Sequence, residues 1–272
     1  TKMKTRVISA VVLLPLLFAL VLFAPKMMTA VVMAVLLAIA AYELLYRTGL
    51  LKNTRLVAYA CTMAFAVAMW SHAGAIHAYM LIGLMLYSMI LFTEMMIDHV
   101  KIRIEMLGLC YFAGALVPFL LSALIRILGM SIGRYVILIP FIIAFLSDSG
   151  AYFVGLKFGR HKLAPVVSPH KTVEGALGGI VAAMVGMLIY GIVLKAVFPQ
   201  FEVRLGLAVL YGLLGSLCGI FGDLCFSVIK RQTGIKDYGN LIPGHGGVLD
   251  RLDSMMMVAP LVEAMLLLAP MV

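Results

Sequence analysis

The sequence predicts an all-α, polytopic integral membrane protein with about nine transmembrane helices and a cytoplasmic N-terminus. Three observations carry this expectation. The 272 residues are 64% hydrophobic and only 12% charged, against about 45–50% apolar residues in ordinary globular domains. Apolar runs of the roughly 20 residues needed to cross a bilayer as helix recur from end to end, without the alternation that spanning strands show. The basic residues are lopsided as well: sixteen of the 21 Lys and Arg residues fall on one face of the alternating spans, the face retained in the cytoplasm.

The expected spans are 7–25, 27–46, 56–72, 78–97, 105–128, 135–157, 173–195, 205–229 and 254–271. The first follows Lys2, Lys4 and Arg6, has no small-residue cleavage site before Pro25 and runs straight into the second, so it reads as an anchor rather than a removed leader. Span 56–72 is the weakest, but the charge alternation needs it: the loops around Lys52, Lys101, Lys162 and Lys236 then share the basic side. Glu43 and Glu94 sit near cytoplasmic span ends and read as structural. The sixth span carries Asp148 beside Ser147, Ser149 and Tyr152, a polar notch, and the eighth carries Asp223 among Gly215, Gly219 and Gly222, small residues that let helices approach. Ionisable groups inside a span are costly, which makes Asp148 and Asp223 functional candidates. Glu263 is deep in the last span without an evident role, and Cys61, Cys110, Cys218 and Cys225 lack metal or redox spacing and read as packing residues. Residues 1–134 form an N-terminal region of five spans, and 135–272 a catalytic region with cytoplasmic loops 158–172 and 230–252.

Those two loops hold the chemistry. The first is basic, and its Ser168, Thr172 and Glu174 are able to cap the following helix. The second, Ser227–Ser254, packs Lys230, Arg231, Lys236, Asp237, Asp250, Arg251 and Asp253 into one glycine-rich stretch. Asp250 and Asp253, three apart at the expected start of the last helix, would share a face and suit a hard cation such as Mg²⁺, which joins a few carboxylates to substrate phosphates. Gly244, Gly246 and Gly247 around His245 would present backbone amides to anions at a helix N-terminus. Carboxylates, amides and cations together point to phosphoryl or nucleotidyl transfer, and no Walker A loop is present.

Ser227, Lys230, Arg231, Lys236, Asp237, Gly239, Pro243, His245, Gly246, Gly247, Asp250, Arg251 and Asp253 together resemble the signature of the phosphatidate cytidylyltransferases, or CDP-diacylglycerol synthases. Asp148, Tyr152 and the segment Ser168–Gly175 are similar to that family too, whereas the first 130 residues resemble it only as a string of spans. The resemblance implies that CTP and phosphatidic acid give CDP-diacylglycerol and pyrophosphate with Mg²⁺, for phospholipid biosynthesis, in a multi-pass protein of the cell (inner) membrane with its site facing the cytoplasm. It implies a homodimer, and no nucleic-acid partner is expected. Catalytic roles go to Asp223, Asp250, Lys230, Arg231 and His245, and substrate binding to Lys171, Ser168, Thr172, Lys236, Asp237, Gly246, Gly247 and Arg251. The metal goes to Asp223 and Asp250, with Asp148 and Asp253 nearby, and four carboxylates leave room for a second cation. Two alternatives stand beside this reading. A transporter would also explain Asp148 and Asp223 among glycines, but not the glycine-rich loop, and the CDP-alcohol phosphatidyltransferases need a D-G-x2-A-R spacing that is missing here.

Overall fold

The computed structural model describes residues 11, 15–73, 76–242, 244 and 246–272. They form two compact units, Thr1–Arg134 with Gln232–Leu252, and Tyr135–Arg231 with Asp253–Val272.

In the first unit a helical stretch over 15–23 precedes α1 (Lys26–Tyr42), which widens into a π-helical turn, Glu43–Arg47. Helix α2 (Thr54–His72) begins at Asn53, whose side chain accepts from the amides of Arg55 and Leu56, as N-cap residues do. Ala60, Ala64 and Ala68 recur every fourth residue and are fully buried. Their small side chains allow close helix contact where lipid gives no hydrophobic drive. At Gly114 an added Cβ would lie 3.0 Å from the Cα of Ala60. Helix α3 (Ile76–Ile97) brings Glu94 to α2, where Tyr59 donates a hydrogen bond at 3.0 Å and Arg55 forms an ion pair at 3.4 Å. Helices α4 (Ile104–Tyr111), α5 (Val117–Leu121) and α6 (Ala123–Gly129) follow, α4 and α5 being joined by a second π turn, Phe112–Leu116. The segment Gln232–Leu252 completes this unit and ends in a one-turn helix, Leu249–Leu252.

The second unit contains α7 (Leu138–Phe158), the hairpin β1 (Lys162–Ala164) and β2 (Ser168–Thr172), then α8 (Val173–Val197), α9 (Leu205–Gln232) and α10 (Met255–Leu268). The stretch expected as a loop over 158–172 thus carries an antiparallel pair, Lys162 opposite Thr172 and Ala164 opposite Ser168. Thr172 caps α8, its Oγ1 accepting from Gly175 N at 3.1 Å. Helices α7 and α8 meet along small residues: a Cβ on Gly150 would lie 2.5 Å from that of Ala182. In α9, Gly212 faces the backbone of Ala183 and Met184, and Gly219 faces Val258.

Among the described residues six helices are long and apolar enough to cross a membrane: Lys26–Arg47, His77–Ile97, Ile104–Gly129, Gly133–Phe158, Val173–Val197 and Leu205–Gln232. Of the other expected spans, 7–25 is helical over 15–23, and its residues 7–10 and 12–14 lie outside the described residues. The segment expected at 56–72 is helical, but it is not apolar enough to stand with the six. The last is only 14 residues, Met255–Leu268, one residue short of the expected 254–271 at its start and three at its end.

Candidate active site

Two buried carboxylates organise the glycine-rich segment of the first unit. Asp250, 5% exposed, accepts through Oδ2 from Tyr238 N at 2.8 Å and from Gly247 N at 2.9 Å. Glu43, 3% exposed, accepts from Val248 N at 3.2 Å and Leu249 N at 2.9 Å. Ile242 N closes the turn onto Gly246 O. The glycines serve these contacts: a Cβ on Gly239 or Gly247 would collide with the Glu43 carboxylate, and one on Gly246, where φ is +89°, would lie 2.8 Å from Asp250 Oδ2. Of the glycines expected to present amides to anions, Gly247 gives its amide to Asp250. The amides of Gly247, Val248 and Leu249 thus find the partners that buried backbone groups require in these two carboxylates. The helix expected to carry Asp250 and Asp253 on one face is corrected, since Leu249–Leu252 and α10 are separate helices with Asp253 in the turn between them. Lys236, Asp237 and Arg251 are exposed in this unit, and His245 and Pro243 lie outside the described residues.

The second unit gathers the other acids and bases. Asp223 on α9 pairs with the Lys171 ammonium from β2 and accepts from Ser227 Oγ at 3.2 Å. One residue back, Gly222 lets the Asp253 turn come close, for a Cβ there would meet the Asp253 carbonyl oxygen at 2.8 Å. Lys230 lies two turns along α9 from Asp223 and reaches Asp253 at 4.0 Å. Burial and the Asp223 carboxylate push the Asp253 carboxyl up to about 7, with Asp148 adding to the push and Lys230 opposing it. Arg231 Nε donates to Val167 O at 3.0 Å, tying the hairpin turn to the end of α9. Glu174 accepts from the amides of Arg160 and His161 and pairs with the His161 ring, fixing the start of the hairpin. Ser168 is half-buried on β2, and Asp148 is exposed on α7.

Oxygen donors that repel one another in a partly buried place fit a Mg²⁺-type cation in chemistry. Among the described residues no three His, Cys, Asp or Glu side chains already converge as a ligand set, and lysines balance the carboxylates instead. Asp148, Asp223, Asp253, Lys171, Lys230 and Arg231 share the second unit, while Asp250 belongs to the first. Glu43, read from the sequence as structural by its place at a span end, is a buried carboxylate that accepts from Val248 and Leu249. Its signal was the cost of a carboxylate in an apolar segment.

A family model described as the cytidylyltransferase family matches residues 4–269. The chain is 42% identical over 135 residues to a phosphatidate cytidylyltransferase of Staphylococcus saprophyticus, covering 50% of each chain. It is 41% identical over 135 residues to the protein of that name from Staphylococcus haemolyticus, again over 50% of each, and 43% identical over 134 residues to that of Staphylococcus epidermidis, over 49% of each. The matched stretch thus spans about half the length of these relatives.

Proposed function

This chain belongs to the cytidylyltransferase family, and on that premise we propose that it transfers a cytidylyl group from CTP to phosphatidic acid, giving CDP-diacylglycerol and pyrophosphate. What supports the reading most is the cluster of Asp148, Asp223 and Asp253 interleaved with Lys171 and Lys230, a charge pattern suited to polyanionic substrates. A phosphate oxygen of phosphatidic acid attacks the α-phosphorus of CTP. The new P–O bond forms as the bond to the bridging oxygen breaks, and that oxygen leaves with pyrophosphate. No general base is demanded, because a phosphomonoester with a second pKa of about 6 is already largely ionised near neutral pH.

Lys171 and Lys230 are the groups that meet incoming phosphates, exchanging carboxylate partners for phosphate oxygens. Arg231 holds the hairpin and presents a guanidinium, whose fork matches phosphate. Asp223 and Asp253, with Asp148 beside them, would hold Mg²⁺, which when bound neutralises charge developing on the phosphates. The proposal extends to a cytoplasmic N-terminus and a site facing the cytoplasm of the cell membrane, supported by the sixteen of 21 basic residues on that side.

The test incubates the purified full chain with labelled CTP, phosphatidic acid and Mg²⁺ and extracts the lipid phase. A lipid-soluble cytidine product with release of pyrophosphate is expected. Its absence under every divalent cation tried overturns the proposal.

A further inference from the structure

We propose that Glu43 is a positioning residue for the glycine-rich segment, a strut that projects from the first long span and holds residues 238–240 and 246–249 in one conformation. The proposal rests on the nucleotidyl-transfer reading above for its effect on turnover, and on geometry alone for the clamp itself.

The geometry is specific. Glu43 opens the π-helical turn that ends α1, and such local widenings of a helix often sit at functional places because they re-aim a side chain. Its carboxylate is almost wholly buried and accepts two amides more than 200 residues away in sequence, those of Val248 and Leu249. A carboxylate buried in an apolar unit is costly unless its oxygens are satisfied, so these bonds fix the acid and the loop together. Gly239 and Gly247 both press against that carboxylate where any Cβ would collide. Arg47, one turn further along, donates to the side chain of Asn240. The π-helical turn Glu43–Arg47 therefore grips the segment near 239–240 and at 247–249. Asp250 completes the hold by taking the amides of Tyr238 and Gly247.

Gly239, Gly246 and Gly247 leave room for the carboxylates of Glu43 and Asp250, and the catalytic candidates His245 and Asp250 lie in the same stretch of sequence. Displacing the segment by about 1 Å is enough to cost on the order of a hundredfold in rate when a catalytic group depends on it.

The experiment measures amide hydrogen exchange of the full chain in detergent for wild type, Glu43→Gln and Glu43→Ala, with steady-state kinetics on the same samples. Glutamine keeps the length and one acceptor oxygen but turns an NH2 group towards the second amide. Peptides covering 246–252 should exchange at least tenfold faster in Glu43→Gln, and faster still in Glu43→Ala, with α2 exchanging as in wild type. The kcat of Glu43→Gln should fall roughly a hundredfold while its KM for phosphatidic acid stays near that of wild type. Unchanged exchange over 246–252 in Glu43→Gln overturns the clamp, and faster exchange with unchanged kcat overturns its bearing on turnover. If alanine loosens α2 as well, the glutamine variant decides. A wild type that forms no product fails the functional reading, while the exchange data still decide the clamp.

Discussion

Replacing Asp223 by Asn removes one negative charge from the middle of the second unit without changing side-chain volume. Its carboxylate pairs with Lys171, both side chains being about a quarter exposed, at 26% and 27%, and it accepts from Ser227. Exposed pairs contribute about 0.2–1 kcal/mol and breaking a fully buried one costs about 3–5 kcal/mol. This half-shielded pair should lie between, at about 2 kcal/mol. The loss in turnover should be larger, because a carboxylate that holds the cation acts on charge developing at the phosphates, an effect worth several kcal/mol. At about 1.4 kcal/mol per decade that is a hundred- to ten-thousandfold fall in kcat. Thermal unfolding in detergent and lipid-extracted product formation give the two numbers separately. Near-normal turnover in a folded variant would refute the placement of the cation at Asp223. A protein that no longer folds would instead assign Asp223 a role in stability greater than its exposure allows.

Removing the Asp223 charge also removes the second-largest cause of the raised Asp253 pKa. In the wild type a folded pKa of about 7 above the usual 3.8 means stability present below pH 3.8 and lost as the pH rises through about 7. A cation that binds the ionised form should offset this loss. The rise in Tm on adding Mg²⁺ should therefore grow as the pH passes from about 5 to 8, and a pH-independent rise would contradict the assignment. Thr172→Ala should cost about 1 kcal/mol by removing the cap of α8, read as a shift in Tm. Gly246→Ala should destabilise the loop twice over, through its φ of +89° and its approach to Asp250, so that turnover falls while α7 and α8 keep their exchange protection. A cysteine at Lys236 should resist an impermeant reagent applied to intact cells, and labelling from outside would reverse the orientation.

Much was legible before any coordinates. Hydropathy and basic bias are properties of composition along a line, so the helical membrane class and most long spans could be read directly from runs such as Leu205–Ile229. The acidic candidates were legible too, because Asp148 and Asp223 stand out against an apolar background. The count of spans was harder to read. Thr54–His72 is helical, with a buried face of alanines of which Ala60 meets Gly114, but it falls short of the six in apolarity, and α10 covers only Met255–Leu268 of the expected 254–271.

Tertiary structure decided how the signature is divided. Asp250 and Asp253 are neighbours in sequence, yet the first staples loop amides beside Glu43 and the second joins Asp223 and Lys230. A sequence can show that glycines grant space, but not what fills it. The filler at Gly239 and Gly247 is a carboxylate from another helix, brought there by packing over some 200 residues of chain. Composition and periodicity are local and survive in one dimension. Which buried amide meets which buried oxygen is set by contacts distant in sequence, and only the folded chain supplies them.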